Sequence, residues 1–248
     1  ILTKLKYKKA KILMIKNFLK KKYYEKYTKK SYSISNVDLI IDRMFSKITN
    51  GIYIDVGCNH PIKFNNTYLL YKRGWKGINI DLDKKSISEF NLLRSKDYNL
   101  RALISDEDDK EKEIFFYHER SAINTVSKNL ITHRKTKIED IKIIKEKTTT
   151  LNKVIDNSPF RNQKINLMSI DIEDHEYEAL KNFDFNKYAI DCIVAECHDL
   201  EQEKLEIYNQ SIEKVISHKL YKLLLENNYK LINWVNSDLI FVRKNFDL

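Results

Sequence analysis

Asp55, Asp81, Asp171 and Glu196 share one setting. Each closes a short run of aliphatic and β-branched residues, reading IYID, GINID, LMSID and CIVAE. Further polar residues stand beside them: Asp83 after the second run, Glu173 after the fourth and His198 after the fifth. Between them, NLRALIS ends on Ser105 and Asp106. Five successive apolar runs therefore finish in polar, mostly acidic residues. One aspartate in such a place is ordinary, because Asp caps helices. A series along one chain points instead to a shared edge. In open α/β sheets, ligands sit outside the carboxyl ends of the strands.

The residue types limit what that edge can hold. A phosphate-rich ligand calls for clustered amide donors, glycines and a lysine. The chain has four glycines and neither a G-x-G-x-x-G nor a Walker pattern. Carboxylates suit a ligand with hydroxyls and positive charge, and S-adenosylmethionine (SAM) offers a ribose diol, an ammonium and a sulfonium. Gly57 would let the backbone approach such a ligand. Asp81, 26 residues beyond Asp55, is placed to accept hydrogen bonds from the two ribose hydroxyls, as the acid of dinucleotide folds does.

The elements that must position these residues alternate. Helical patterns cover 1–30, 36–48 (capped by Ser35 or Asn36), 65–73 (closed by Gly74), 84–96, 175–182 and 210–227. Strand patterns cover 51–56, 75–81, 99–105, 114–118, 164–171 and 188–196, and TTTLNKVID runs from a short strand into a short helix. YKLINWV and DLIFVRK close the chain as a hairpin around Asn236-Ser237, which predicts an antiparallel edge strand. Tyr68, Leu69, Tyr71 and Trp75 are expected to pack on the core, with Asn66 and Thr67 at the edge of the pocket. The stretch 119–137 reads as an acceptor-binding loop or lid, its Arg120 and Arg134 suited to a phosphate or carboxylate. The predicted fold class is α/β: a mostly parallel sheet with helices on both faces.

Composition narrows the classes further. Of the net charge of +10, the first 30 residues carry +11, from twelve lysines against Glu25 alone, so the remainder is close to neutral. The domain organisation is thus a basic helical arm, 1–35, and an α/β body, 36–248. Ile12, Ile15 and Leu19 lie at helical spacing, so the arm reads as an amphipathic helix. It is either simply solvated or docked peripherally on an acidic membrane surface. Nucleic acid is not expected as a partner, because the basic charge is confined to the arm. No apolar run reaches the roughly 20 residues that cross a bilayer. Three cysteines, Cys58, Cys192 and Cys197, lack metal-like spacing and indicate a reducing, cytoplasmic setting. Cys197 reads as a small buried residue. The first residue is Ile rather than Met, which leaves room for sequence upstream.

Five stretches in order, IYIDVGCNHPIKFNNTYLLYKRGWKGINIDLD, ALISDEDDKEKEIFFY, TTTLNKVID, MSIDIEDHEYEALKNFDF and DLIFVRK, together resemble the FkbM family of SAM-dependent methyltransferases. The resemblance spans roughly residues 50–244. It implies a Rossmann-like methyltransferase fold with a seven-stranded sheet and a reversed last hairpin. It also implies O-methyl transfer to sugars, glycan components or other natural-product hydroxyls. It places Asp55, Gly57 and Asn59 around the methionine end of the cofactor, Asp81 and Asp83 near the ribose, Ser105 and Asp106 near the adenine, and 171–176 facing the methyl group. One departure is Asp174, where many relatives carry glycine.

Methyl transfer needs a base to take the acceptor's hydroxyl proton. His175, His198 and His60 are candidates at neutral pH, as is the carboxylate of Asp171. Asp171, Glu173, Glu196 and His198 form a subsidiary metal set, oxygen-rich and suited to Mg²⁺, Ca²⁺ or Mn²⁺. Two other function classes fit the pattern less well. One is a different nucleotide-using α/β enzyme, such as an oxidoreductase. The other is a non-catalytic adaptor on a methyltransferase fold, touching membrane or nucleic acid. The acceptor's identity and the oligomeric state are not encoded in any of these motifs.

Overall fold

The computed structural model describes residues 2–25, 28–135, 137–197 and 211–246. It divides into a unit at Ile1–Ser31 and a unit at Tyr32–Leu248. The first contains the helix α1 (Leu2–Glu25).

In the second unit the strands run β1 (Ile52–Val56), β2 (Lys76–Asp81), β3 (Tyr98–Arg101), β4 (Leu103–Ile104), β5 (Glu111–Phe116), β6 (Lys142–Thr149), β7 (Leu167–Ile170), β8 (Cys192–Glu196), β9 (Tyr229–Val235) and β10 (Asp238–Arg243). The helices between them are α2 (Val37–Met44), α3 (Tyr68–Lys72), α4 (Lys84–Leu93), α5 (Lys128–His133), α6 (Leu151–Asn157), α7 (Glu176–Leu180), α8 (Phe185–Tyr188), α9 (Ile212–Ser217) and α10 (Lys219–Glu226). Seven strands form one sheet in the order β3-β2-β1-β7-β8-β10-β9, and β4-β6-β5 form a second, small one. From β3 to β8 every pairing is parallel, and β10 pairs antiparallel with both β8 and β9.

Alternation of side chains sorts the core onto the two sheet faces. Ile54, Val56, Met168 and Ile170 join the larger cluster with α6 and α10, while Tyr53, Leu167 and Val194 join α2 and Trp75 on the other face. Both faces are covered, so strands buried end to end are the expected form; β1 and β7 are buried at every residue.

Several expectations are refined. The reversed strand is β10, one place inside the edge, and the edge strand β9 runs with the parallel strands. Its turn works as anticipated, with Asn236 at φ 55°. The run 99–105 is two strands: β3 leaves the main sheet after Arg101, opposite Asp81, and the chain bends so that Leu103 and Ile104 pair with β6. Uniform apolarity hides such a break. The helix at 210–227 is interrupted at His218, whose extended backbone caps α10. Of the run 188–196, Tyr188 ends α8, which Asp184 caps, and the strand begins only at Cys192. Asn36 precedes α2 in the left-handed region but makes no side-chain cap.

The chain leaves β1 for β2 and β3 on one side and returns to β7 on the other. That reversal makes the gap between the ends of β1 and β7 the switch point of the sheet. Gly57 stands there with φ 78°. A Cβ on it would lie 1.7 Å from the carbonyl oxygen of Asp171. Gly74, at φ 95° beyond α3, has nothing within 4 Å of its would-be Cβ. The two glycines therefore separate close approach from backbone strain. Gly74→Ala should cost about 1–2 kcal/mol, the left-handed penalty alone. Gly57→Ala should cost more than about 3 kcal/mol or abolish folding, because backbone meets backbone; urea unfolding of both variants measures the difference.

Candidate functional site

A cleft opens at this switch point. Val56, Gly57, Asn59, Ile80, Asp81, Asp171, Glu173 and His175 contribute to its walls, all from strand ends or the loops just after them. Leu82, just after β2, and Ala102, Leu103 and Ile104, where β3 passes into β4, supply apolar wall, and Ser121, Ala122 and Asn124 to Val126 close another side.

Asp81 is fixed by the backbone around it. One carboxylate oxygen accepts the amide of Asn59 and the other that of Asp83, each at 2.7 Å. Burial raises its pKa to about 6, against the pull of those two amides. Asn59 reaches this position through a left-handed backbone, φ 47°, which Asn tolerates better than most residues. Beside Asp81, Ser86 was not foreseen. It lines the cleft, is almost fully buried, and its hydroxyl has no hydrogen-bond partner among the described residues.

Asp171 and Glu173 also line the cleft, and together with Glu196 each brings a carboxylate oxygen within 4.8 Å of the others. Asp171 is open to solvent at the mouth. The protein packed around its carboxyl still withholds hydration, and Glu196, Glu173 and Glu176 add like charge, so its pKa stands well above the usual carboxylate range. Three of the four residues of the subsidiary metal set thus converge. The fourth, His198, lies outside the described residues, as does its role as a base.

Other predicted residues are set apart from the cleft walls. Asp55 is buried beneath them: its carboxylate accepts Asn65 Nδ2 at 2.9 Å and Thr67 Oγ1 at 2.7 Å. The reason is strand alternation, which sends Asp55 to the Tyr53 face rather than toward the ligand edge. Asp83 caps α4 with one oxygen and accepts the amide of Arg120 with the other. Asp106 turns outward. Despite partial burial, Lys181 and its hydrogen bond from Ser105 hold its pKa at about 2. Ser105 is buried one layer behind the wall, 3.1 Å from His175 Nε2. His60 holds its own turn, Nδ1 accepting the amides of Ile62 and Lys63.

His175 does line the cleft, but as a poor base. Burial, then the charge of Lys112, push its pKa down to about 4. Ser105 donates to Asp106 at 2.8 Å, so the His175 Nε2–H is assigned as donor to Ser105.

The segment 119–137 is a wall held by specific hooks. Thr125 Oγ1 donates to the Glu173 carbonyl at 2.7 Å, and Ser127 Oγ to Asp174 at 2.6 Å. Arg134 pairs with Glu173, and Arg120 with Glu89. The two arginines proposed for an anionic acceptor are therefore engaged in holding this wall. Glu173 and Asp174 are both left-handed, at φ 59° and 67°. Asp174 keeps the backbone form expected of glycine and adds a carboxylate that anchors Ser127.

Sequence reading also missed Arg94. It is fully buried, its guanidinium donating to the Pro61 carbonyl, Asn65 Oδ1 at 2.7 Å and Thr67 Oγ1 at 2.8 Å. Tyr68 and Tyr71 face it rather than only the apolar core. Its position after α4 looks like an exposed helix end in sequence; only Asp55, Asp97 and the amide-rich FNNT stretch hint at a partner.

Compared with protein-family profiles, residues 55–231 match the methyltransferase FkbM domain. A comparison with curated proteins finds no match.

Two outcomes follow from these burials. Arg94→Met should destabilise the fold by about 3–5 kcal/mol, because Asp55 is left as an uncompensated buried charge. In denaturant unfolding, Arg94→Met with Asp55→Asn should lose less than the sum of the single changes. His175 has a folded pKa of about 4 against 6.5 for the free side chain. Its neutral form therefore contributes stability that is complete above pH 6.5 and lost as pH falls toward 4. Melting temperatures across that interval should fall less steeply in His175→Gln.

Proposed function

Because the chain belongs to the FkbM methyltransferase family, we propose that it methylates a hydroxyl oxygen of a sugar, carried as a nucleotide-linked precursor or a cell-surface glycan component. The observation that supports this acceptor is the meeting of Asp171 and Glu173, which line the cleft, with Glu196. Ser237 donates to Glu196 at 3.2 Å. A wall of acceptor oxygens suits a polyol, whose hydroxyls all donate. It disfavours a phosphate or carboxylate at the reacting centre, where the nearby arginines are already paired.

The cleft fits SAM, the family's cofactor, on observations of its own residues. Asp81 presents acceptor lone pairs where a ribose diol would bind, and Ser86 buries a hydroxyl awaiting a polar partner. Leu82, Ala102, Leu103 and Val126 form the apolar wall an adenine requires. Gly57 and Asn59 keep the chain close at the opposite end. When bound, SAM supplies a methyl group already activated by its sulfonium.

The protein's tasks are then alignment, exclusion of water and removal of one proton. The wall 121–126 shields the cleft. Asp171, with a raised proton affinity shared with Glu196, is the base this reading favours over His175. Its carboxylate oxygen would take the acceptor's hydroxyl proton. The three cysteines, Cys58, Cys192 and Cys197, are buried, which suits a reducing, cytoplasmic setting.

The test uses labelled SAM with nucleotide sugars and glycan extracts. Label should enter a sugar hydroxyl. Asp171→Asn should lower kcat by about 10²–10⁴-fold, and His175→Gln by far less. The wild-type rate should fall as pH drops through the raised Asp171 pKa, because protonation removes the base, and that limb should vanish in Asp171→Asn. Label in lipid or protein only would refute the sugar acceptor. Activity that dies with EDTA and returns with Mg²⁺ would reassign the three carboxylates to an ion.

A further inference from the structure

We propose that α1 is a docking element for the surface of an anionic lipid bilayer. Residues 10–24 are exposed along their whole length. Within two turns, Ile12, Leu13, Met14, Ile15, Phe18 and Leu19 are each more than half exposed. Scattered exposed apolar residues are normal, but a contiguous group of this size marks an interaction surface. The same helix carries nine lysines and no acid before Glu25.

The residues do not divide into two clean faces, as an amphipathic reading of the sequence expects. ILMI runs consecutively round the helix, so Leu13 and Met14 lie away from Ile12 and Ile15. One side is nevertheless apolar from end to end over two turns: Ile12, Ile15, Phe18 and Leu19. Lys11 and Lys22 bracket it, and Lys22 Nζ lies 5.9 Å from the centre of the Phe18 ring. Long lysine stems can lie along such a side while the ammonium groups rise to a polar layer.

Charge decides among occupants. A second copy of α1 would bring nine more lysines against the first. Nucleic acid would satisfy the lysines and leave the aliphatic side chains in water. An anionic headgroup layer above acyl chains answers both needs. Among the described residues no helix is long and apolar enough to cross the membrane, so the contact is with the surface.

The experiment is co-sedimentation of the full chain with phosphatidylcholine vesicles, with and without phosphatidylglycerol, at low and raised salt. Binding should require phosphatidylglycerol and weaken with salt. Replacing Lys11, Lys16 and Lys20 by Gln should lower partitioning roughly a hundredfold, at about 1 kcal/mol for each lysine. Replacing Ile15, Phe18 and Leu19 by Ser should also lower it. Unchanged S-adenosylhomocysteine affinity in both triple variants shows that the body remains folded. Failure to bind, equal binding without anionic lipid, or full binding by the serine variant would overturn the proposal. So would dimers that vanish in the serine variant, or tighter binding to an oligonucleotide than to anionic vesicles.

Discussion

The site depends on how closely two strand ends approach. β1 and β7 finish side by side, and the carbonyl of Asp171 occupies the space a Cβ on residue 57 would need. Two consequences follow from that contact. The backbone beyond β1 can turn at once, its amides at Gly57 and Cys58 donating to the Ile80 carbonyl. The Asp171 carboxyl is carried to the mouth of the same cleft that Asp81 enters from β2. Bulk at residue 57 would separate the two halves of the cleft before any ligand arrived.

Carboxylates that look alike in sequence do different work because their surroundings differ. Asp55, Asp83 and Asp106 are engaged by protein groups: a buried arginine network, a helix start with the Arg120 amide, and a surface lysine. They build the scaffold around the cleft. Asp81 and Asp171 remain at its wall with raised proton affinity, the first mainly through burial, the second through the protein packed around its carboxyl and three neighbouring acids. Arg94 joins the two groups. It offsets part of the cost of burying Asp55 and, through Pro61, Asn65 and Thr67, sets the loop that follows Gly57 and Asn59.

The wall at 121–134 shows how an irregular segment is made specific. Its contacts with the loop after β7 use one backbone carbonyl, one aspartate and one ion pair. Asp174 adopts a glycine-like backbone and in return gains the hook to Ser127. Asp174 thereby becomes a positioning contact between the loop after β7 and the cleft wall.

Local chemistry made much of this readable from the chain alone. Strand ends announce themselves through β-branched runs that stop at Asp or Glu, and the terminal hairpin through Asn236-Ser237. The order of motifs was enough to indicate the α/β class and the family. The position of Asp81 in the cleft and the convergence of Asp171, Glu173 and Glu196 also followed from the rule that sheet edges gather strand ends. Which face each side chain took did not follow so simply: Asp55 lies one residue from being a ligand and is turned under the sheet. Nor could the sequence separate β3 from β4, since both are apolar and only their pairing partners differ. Arg94, Ser86 and the pairing of Arg120 and Arg134 were decided by contacts across 20 to 40 residues of chain. Sequence fixes the period and polarity of each segment, which are local properties. Burial, proton affinity and the partner of a charge depend on what other segments bring within a few ångströms, and only the folded chain determines that.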